Sequence, residues 1–217
     1  MSRTVGGALV WFSVIHFFLV EELVRRTWTV PYSWQTNYVS DLGATTCGPY
    51  FDREICSPGH AWMNLSFGLV GIAIILGAML LAPTARDLFG RPLLPLYVVG
   101  GVGAVLVGLF PLDTIRPMHA LSAGLLFAST NLAHVLLGWR LFRRHHRRYG
   151  VGLALVGVAG LLGTAFLAEG STLGVGVGFV QRLAVYGSVL GVVASALVLL
   201  SRRRVSGARG ERAAHPA

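Results

Sequence analysis

Residues 60–82 read HAWMNLSFGLVGIAIILGAMLLA, 23 positions without one Asp, Glu, Lys or Arg, and Pro83 closes them. As a helix this stretch is about 34 Å long, enough to cross the hydrocarbon core of a bilayer. Five more apolar runs flank it, and the spans are expected at residues 6–24, 60–82, 93–110, 118–141, 150–168 and 179–200. The first run follows Arg3 and has the look of a signal peptide, but Glu21-Glu22 and Arg25-Arg26 follow it where a small-residue cleavage site belongs. It is read as an uncleaved span. Pro117 stands at the start of the fourth span, where its missing N–H costs nothing.

Composition agrees. The 217 residues are 54% hydrophobic and 12% charged, about half the charge of an ordinary soluble domain. Disorder of the whole chain is excluded by the same figures. Six spans leave room for short connections, one long loop and a tail, and the expected fold is an all-α polytopic membrane protein. It is one six-helix domain over 1–200, with the 25–58 loop as a cap at one end. The tail, 201–217, is polar and Arg-rich and is expected to be disordered. His145 and His146 fall in a basic loop and are expected to be solvated.

All 18 basic residues are arginine, and the net charge is +9. Nucleic acid is not the implied partner, because the arginines cluster beside apolar runs, where they set topology. With six spans, 13 arginines fall on the side of the termini and 5 on the other. The positive-inside rule therefore puts both termini in the cytoplasm of a plasma-membrane protein. Cys47 and Cys56, the only cysteines, both fall in the 25–58 loop. That loop lies on the opposite, oxidising side, so a disulfide is expected. The alternatives are two free thiols or a zinc pair, the latter at a wider spacing than a zinc knuckle uses. Small residues recur at Gly187, Gly191 and Ser195, at Gly157, Gly160 and Gly163, and at Gly100 and Ala104, which predicts close helix packing.

The polar residues gather at the capped end. Seven of the nine acids, Glu21, Glu22, Asp41, Asp52, Glu54, Asp113 and Glu169, fall there. So do His60 and Asn64, one turn apart, His119, and Gln181, Arg182 and Tyr186. Asp41, Asp113 and His119 are the acid–base candidates. His60, Asn64, Glu169, Arg182 and Tyr186 are the binding candidates. Each has a plainer use. Asp41 can bond to loop amides, Asp113 can favour a helix start, and His119 can bond to a carbonyl or to Asp113. His60 and Asn64 can hold helices together, Glu169 can pair with Arg182, and Glu21 and Glu22 can be solvated. His16, Asn131 and His134 lie deeper, where hydrogen bonding between helices is the default. Asp113, His119 and Arg182 are expected to line one pocket under the loop, with Arg182 paired to a carboxylate.

No hydrolase, zinc-protease, phosphate-loop or dinucleotide motif is present. Ser40, beside Asp41, is a conceivable nucleophile. His60, Asp113 and His119 offer zinc donors without a diagnostic spacing, so no metal and no cofactor is expected.

The run Tyr38-Val39-Ser40-Asp41-Leu42-Gly43, then His60-Ala61-Trp62-Met63-Asn64, Gly108-Leu109-Phe110-Pro111 with Asp113, His119, and finally Gln181-Arg182 resembles the family catalogued as domain of unknown function 998. Those are six-span membrane proteins, mostly bacterial and archaeal. The family commonly has Glu-Arg where this chain has Gln181-Arg182, so a role carried by that glutamate is lost here or passes to Glu169. The S-D-x-G stretch is also distantly similar to one in the Frag1/DRAM/Sfk1 family, linked to lipid and GPI-anchor handling. The expectation is a polar pocket binding a lipid headgroup, a membrane partner or a hydrophobic small molecule. The alternatives are an intramembrane enzyme on a lipid or isoprenoid and a small-molecule transporter. Transporters usually bind near mid-membrane, and the polar groups here lie at one end.

Overall fold

The computed structural model describes residues 2–83, 86–144, 146–172 and 174–214, with backbone alone for 86–92 and 202–214. Among the described residues there are seven α-helices: α1 Arg3–Phe12, α2 His16–Arg26, α3 His60–Leu81, α4 Arg86–Leu109, α5 Arg116–Arg143, α6 Arg147–Ala168 and α7 Val177–Ala214. The first two form one span, Arg3–Arg26, joined by a 3₁₀ turn at Ser13–Ile15. The Ser13 hydroxyl donates to the Val10 carbonyl at 2.7 Å, and His16 Nδ1 bonds the Ser13 carbonyl at 2.8 Å. Such back-bonding pulls the backbone out of the regular ladder.

Among the described residues, five helical stretches are long and apolar enough to cross a membrane, and the apolar part of α4, Leu93–Leu109, is a shorter sixth. The expected all-α polytopic bundle is therefore the fold. Consecutive helices pack on one another, and α7 also packs on α1 and α5. It is accordingly the most enclosed span, 67% buried over its apolar window against 22% for α6. The other faces are apolar and exposed. On α3 they carry Leu65, Leu69, Ile72, Leu76 and Met79, all exposed and spaced by three or four residues, as a helix face in contact with lipid requires.

The small residues admit larger partners. A Cβ on Gly77 would fall inside the Trp11 ring, and Trp11 Nε1 donates to the Ile74 carbonyl at 3.0 Å. A Cβ on Gly187 would come 2.7 Å from Asn131 Oδ1, and one on Gly191 would strike the His134 ring. Asn131 Nδ2 bonds Phe127 O, Ala184 O and Ser188 Oγ at 2.8–3.1 Å, which joins α5 to α7.

Residues 27–59 form the cap. Val39–Gly43 is a 3₁₀ turn, and β1 Gly48–Tyr50 pairs antiparallel with β2 Arg53–Ile55, Tyr50 opposite Arg53. Phe51 turns the hairpin at φ 57°, a left-handed conformation rare outside glycine and asparagine. The Cys47–Cys56 disulfide closes the other end. This hairpin departs from a purely helical chain. It is too short for a sheet core, and the disulfide supplies what its side chains cannot.

In the tail, helical backbone continues from α7 to Ala214. The span ahead of it has already met the cost of nucleation, and Ala and Arg propagate a helix well. His145 lies outside the described residues.

Candidate functional site

Three polar clusters fix the cap to the bundle. The first centres on Asp41, which is fully buried. Arg53 clamps it with Nε on Oδ2 at 2.8 Å and Nη2 on Oδ1 at 2.7 Å. The Tyr38 N–H adds a bond at 2.9 Å and Asn37 Nδ2 one at 3.3 Å. The Arg53 guanidinium lies over the Tyr38 ring at 4.4 Å and near that of Tyr50 at 5.3 Å. Burial works against its charge, but the bonds and charge of Asp41 outweigh burial and raise its pKa.

The second centres on Arg182, 4% exposed. Its Nη1 reaches the carbonyls of Trp34, Asn37 and Gly178 at 3.0–3.2 Å. Its Nη2 reaches Glu21 Oε1 at 3.4 Å and the Tyr32 hydroxyl. Tyr186 donates to both Glu21 oxygens at 2.9 and 3.0 Å. Burial pushes the Tyr32 phenol up to about 12, in spite of Arg182 beside it. The carboxylate that Arg182 needs is thus Glu21 of α2. Glu169, one partner the sequence offers, is exposed and follows the end of α6 as its C-cap. Glu21 is not a solvated rim charge but 3% exposed, whereas its neighbour Glu22 binds Arg25 and Arg26 at the surface.

The third joins Ser40, His119 and Gln181. His119 Nδ1 lies 2.8 Å from the Phe110 carbonyl and Nε2 3.1 Å from Ser40 Oγ. Gln181 Nε2 donates to Ser40 Oγ at 2.9 Å, and its Oε1 accepts the Val39 and Ser40 N–H groups at 2.6 and 3.4 Å.

Asp113 does other work. Its Oδ2 accepts the backbone N–H and the hydroxyl of both Thr45 and Thr46 at 2.8–3.1 Å. Burial raises its carboxyl, but those N–H groups and the Thr46 hydroxyl outweigh it and hold the group below the usual carboxylate range. Asn64 donates to the Gly43 carbonyl at 2.8 Å, and His60 Nδ1 bonds the Ser57 carbonyl at 2.9 Å. Both residues brace the cap on α3.

Beneath the hairpin lies a pocket of about 480 Å³, open to one side. Tyr38, Tyr50, Phe51, Arg53 and Arg116 form its mouth, and Ala120, Ala123, Gly124, Phe127, Thr164 and Leu167 of α5 and α6 form its trough. His119 and Gln181 stand in its wall. The expectation that Asp113, His119 and Arg182 share one pocket is therefore not met. Only His119 lines this one. Asp113 is spent on the cap, and Arg182 faces a separate apolar groove of about 660 Å³ with Trp34, Phe179 and Tyr186. Adjacent positions on a helix point about 100° apart, so Gln181 and Arg182 serve different surfaces.

In the sequence alone, Arg53 and Arg116 count only toward topology. The signal for Arg53 was its place inside the Cys47–Cys56 loop, 12 residues after Asp41, where a closed loop folds back on its own flank.

No curated protein and no solved structure matches the chain. A family model does, that of the protein of unknown function DUF998, over residues 5–198. The match runs from the first span to the last and covers every cluster described above, and the chain belongs to that family.

Proposed function

We propose that the capped pocket binds an anionic membrane lipid, headgroup at the mouth and chain in the trough between α5 and α6. The observation that carries this reading is Arg116. Its guanidinium lies over the Phe51 ring at 4.5 Å, at the rim of an apolar trough. Among the described residues it has no ion pair, whereas Arg53 beside it is already neutralised by Asp41. An uncommitted guanidinium above apolar walls matches an amphiphile with a phosphate or carboxylate head.

The same reading puts the cap on the extracytoplasmic face of the plasma membrane and both termini in the cytoplasm. The 13-to-5 division of arginines supports that orientation, and so does a disulfide in the cap. A reporter fused at Ala217 and active only outside the cell would overturn it.

Native mass spectrometry of the purified chain with mixed phosphatidylglycerol and phosphatidylcholine tests the pocket. The anionic lipid should be preferred, and Arg116→Gln should cut that preference about tenfold, the equivalent of one charge-assisted contact of about 1.4 kcal/mol. Equal retention of the two lipids by the unmodified chain refutes the reading.

A further inference from the structure

We propose that Ser40 is a nucleophile, with His119 as its general base, acting on the ester carbonyl of an acyl lipid held in the capped pocket. The inference takes its substrate class from the lipid-binding reading; the reactivity of the serine stands on separate geometry.

Hydrogen-bond polarity sets the arrangement. The Phe110 carbonyl can only accept, so His119 Nδ1, 2.8 Å away, carries the proton. Nε2 then holds a lone pair, and the hydroxyl of Ser40, 3.1 Å away, is the donor to it. This is the contact through which an imidazole takes the proton of an attacking serine, with a carbonyl orienting the far nitrogen as a carboxylate does in a triad. The amide of Gln181 is oriented as well. Its oxygen is committed to the Val39 and Ser40 N–H groups, so its NH₂ faces Ser40 Oγ, at 2.9 Å. That N–H takes one lone pair of Oγ and holds the hydroxyl in place, and the other lone pair is left for attack.

The surroundings fit an acyl ester. Ser40 walls a small apolar cavity with Phe67, Val107 and Leu126, and that cavity shares Ala123, Phe127 and Gln181 with the large pocket. Ala123, Phe127 and Gln181 stand between Ser40 and the trough, so the ester, which lies between a head at Arg116 and a chain in the trough, meets Oγ where that shared wall opens.

The chemistry balances with water as the only co-reactant. Oγ bonds to the ester carbonyl carbon as its proton passes to His119 Nε2. The carbon–alkoxy bond then breaks, and His119 returns the proton to the departing alcohol. Water, deprotonated by the same Nε2, attacks the acyl-serine and releases a carboxylic acid and free Ser40. The net change is ester plus water to acid plus alcohol.

The test uses the full chain in detergent with a fluorescent long-chain alkyl fluorophosphonate, followed by peptide mapping. The adduct should map to Ser40, vanish in Ser40→Ala, and form at least about a hundredfold more slowly in His119→Gln. Glutamine can still accept the serine hydroxyl, so a role limited to bracing would survive that change. If the variants do not fold, mapping on the unmodified chain decides alone. Absence of a Ser40 adduct from monodisperse protein with its disulfide intact overturns the proposal, as does an unchanged rate in His119→Gln. Lipid retention, measured in parallel, separates the two readings. Phosphatidylglycerol held without labelling sinks the nucleophile alone, and labelled Ser40 without anionic preference sinks the binding reading alone.

Discussion

Asp41→Asn is the sharpest perturbation of the cap. Asparagine matches aspartate in shape, keeps an oxygen for the Tyr38 N–H, and loses the charge that faces Arg53. Two charge-assisted bonds of 2.7 and 2.8 Å are lost or weakened, and an NH₂ now faces a guanidinium N–H. Bonds of that type are worth about 1.5–3 kcal/mol each, and removing one partner of a buried pair costs about 3–5 kcal/mol. Arg53 keeps 10% side-chain exposure and its contact with Asp52 at 3.4 Å, so the lower end applies, about 3 kcal/mol. The loss falls on the opening of the cap rather than on the bundle, because Asp41 and Arg53 both belong to the cap. Hydrogen exchange reads such opening directly. About 3 kcal/mol is a factor of roughly 150, so amides of 38–55 should lose about a hundredfold protection while those of α5 and α6 keep theirs. Adding Arg53→Met should restore much of the loss, since the stranded charge is gone. A loss under about tenfold, or one spread equally over α5 and α6, would show that the pair does not hold the cap.

Cys47→Ser with Cys56→Ser opens a loop of sequence separation 9 and should cost the hairpin about 2.5 kcal/mol, read as faster proteolysis within 48–55 and unchanged cleavage elsewhere. Gly77→Ala places a methyl in the Trp11 ring and should cost about 1–3 kcal/mol, lowering the apparent Tm; Gly68→Ala, with nothing within 4 Å, should leave it unchanged or raise it. The Asp113 carboxyl has a depressed pKa in the folded cap. Its tether to Thr45 and Thr46 is therefore fully present above about pH 4, the unfolded value, and is lost as pH falls through the lower folded value. Exchange at Thr45 and Thr46, corrected for intrinsic rate, should rise there, and Asp113→Asn should abolish that dependence.

The bundle was legible because each span declares itself locally, by twenty or so apolar residues and by the arginines at its ends. The Cys47–Cys56 bond was legible for a similar reason, two cysteines in one loop. Pairings across the bundle were not. Arg182 finds Glu21, 161 residues away, rather than nearby Glu169, because the choice depends on how α2 and α7 pack. The Ser40–His119 contact spans 79 residues, with no period that could announce it. By its neighbours in sequence, Asp113 is a turn acid or a site residue. Its use as an anchor depends on Thr45 and Thr46, on a loop whose path only the folded cap defines.

The cap divides into contacts of two ages. Asp41 and Arg53 lie 12 residues apart and the two cysteines 9, so these links need only the loop itself. The backbone groups of Trp34, Asn37, Val39 and Ser40 wait for Gln181 and Arg182, which are 141 to 148 residues later. At about 5–20 residues per second of synthesis, that is a delay of roughly 7–30 s. Through that interval the nascent loop stands with its polar backbone unanswered, and the early links keep it compact until the last helix arrives to receive it.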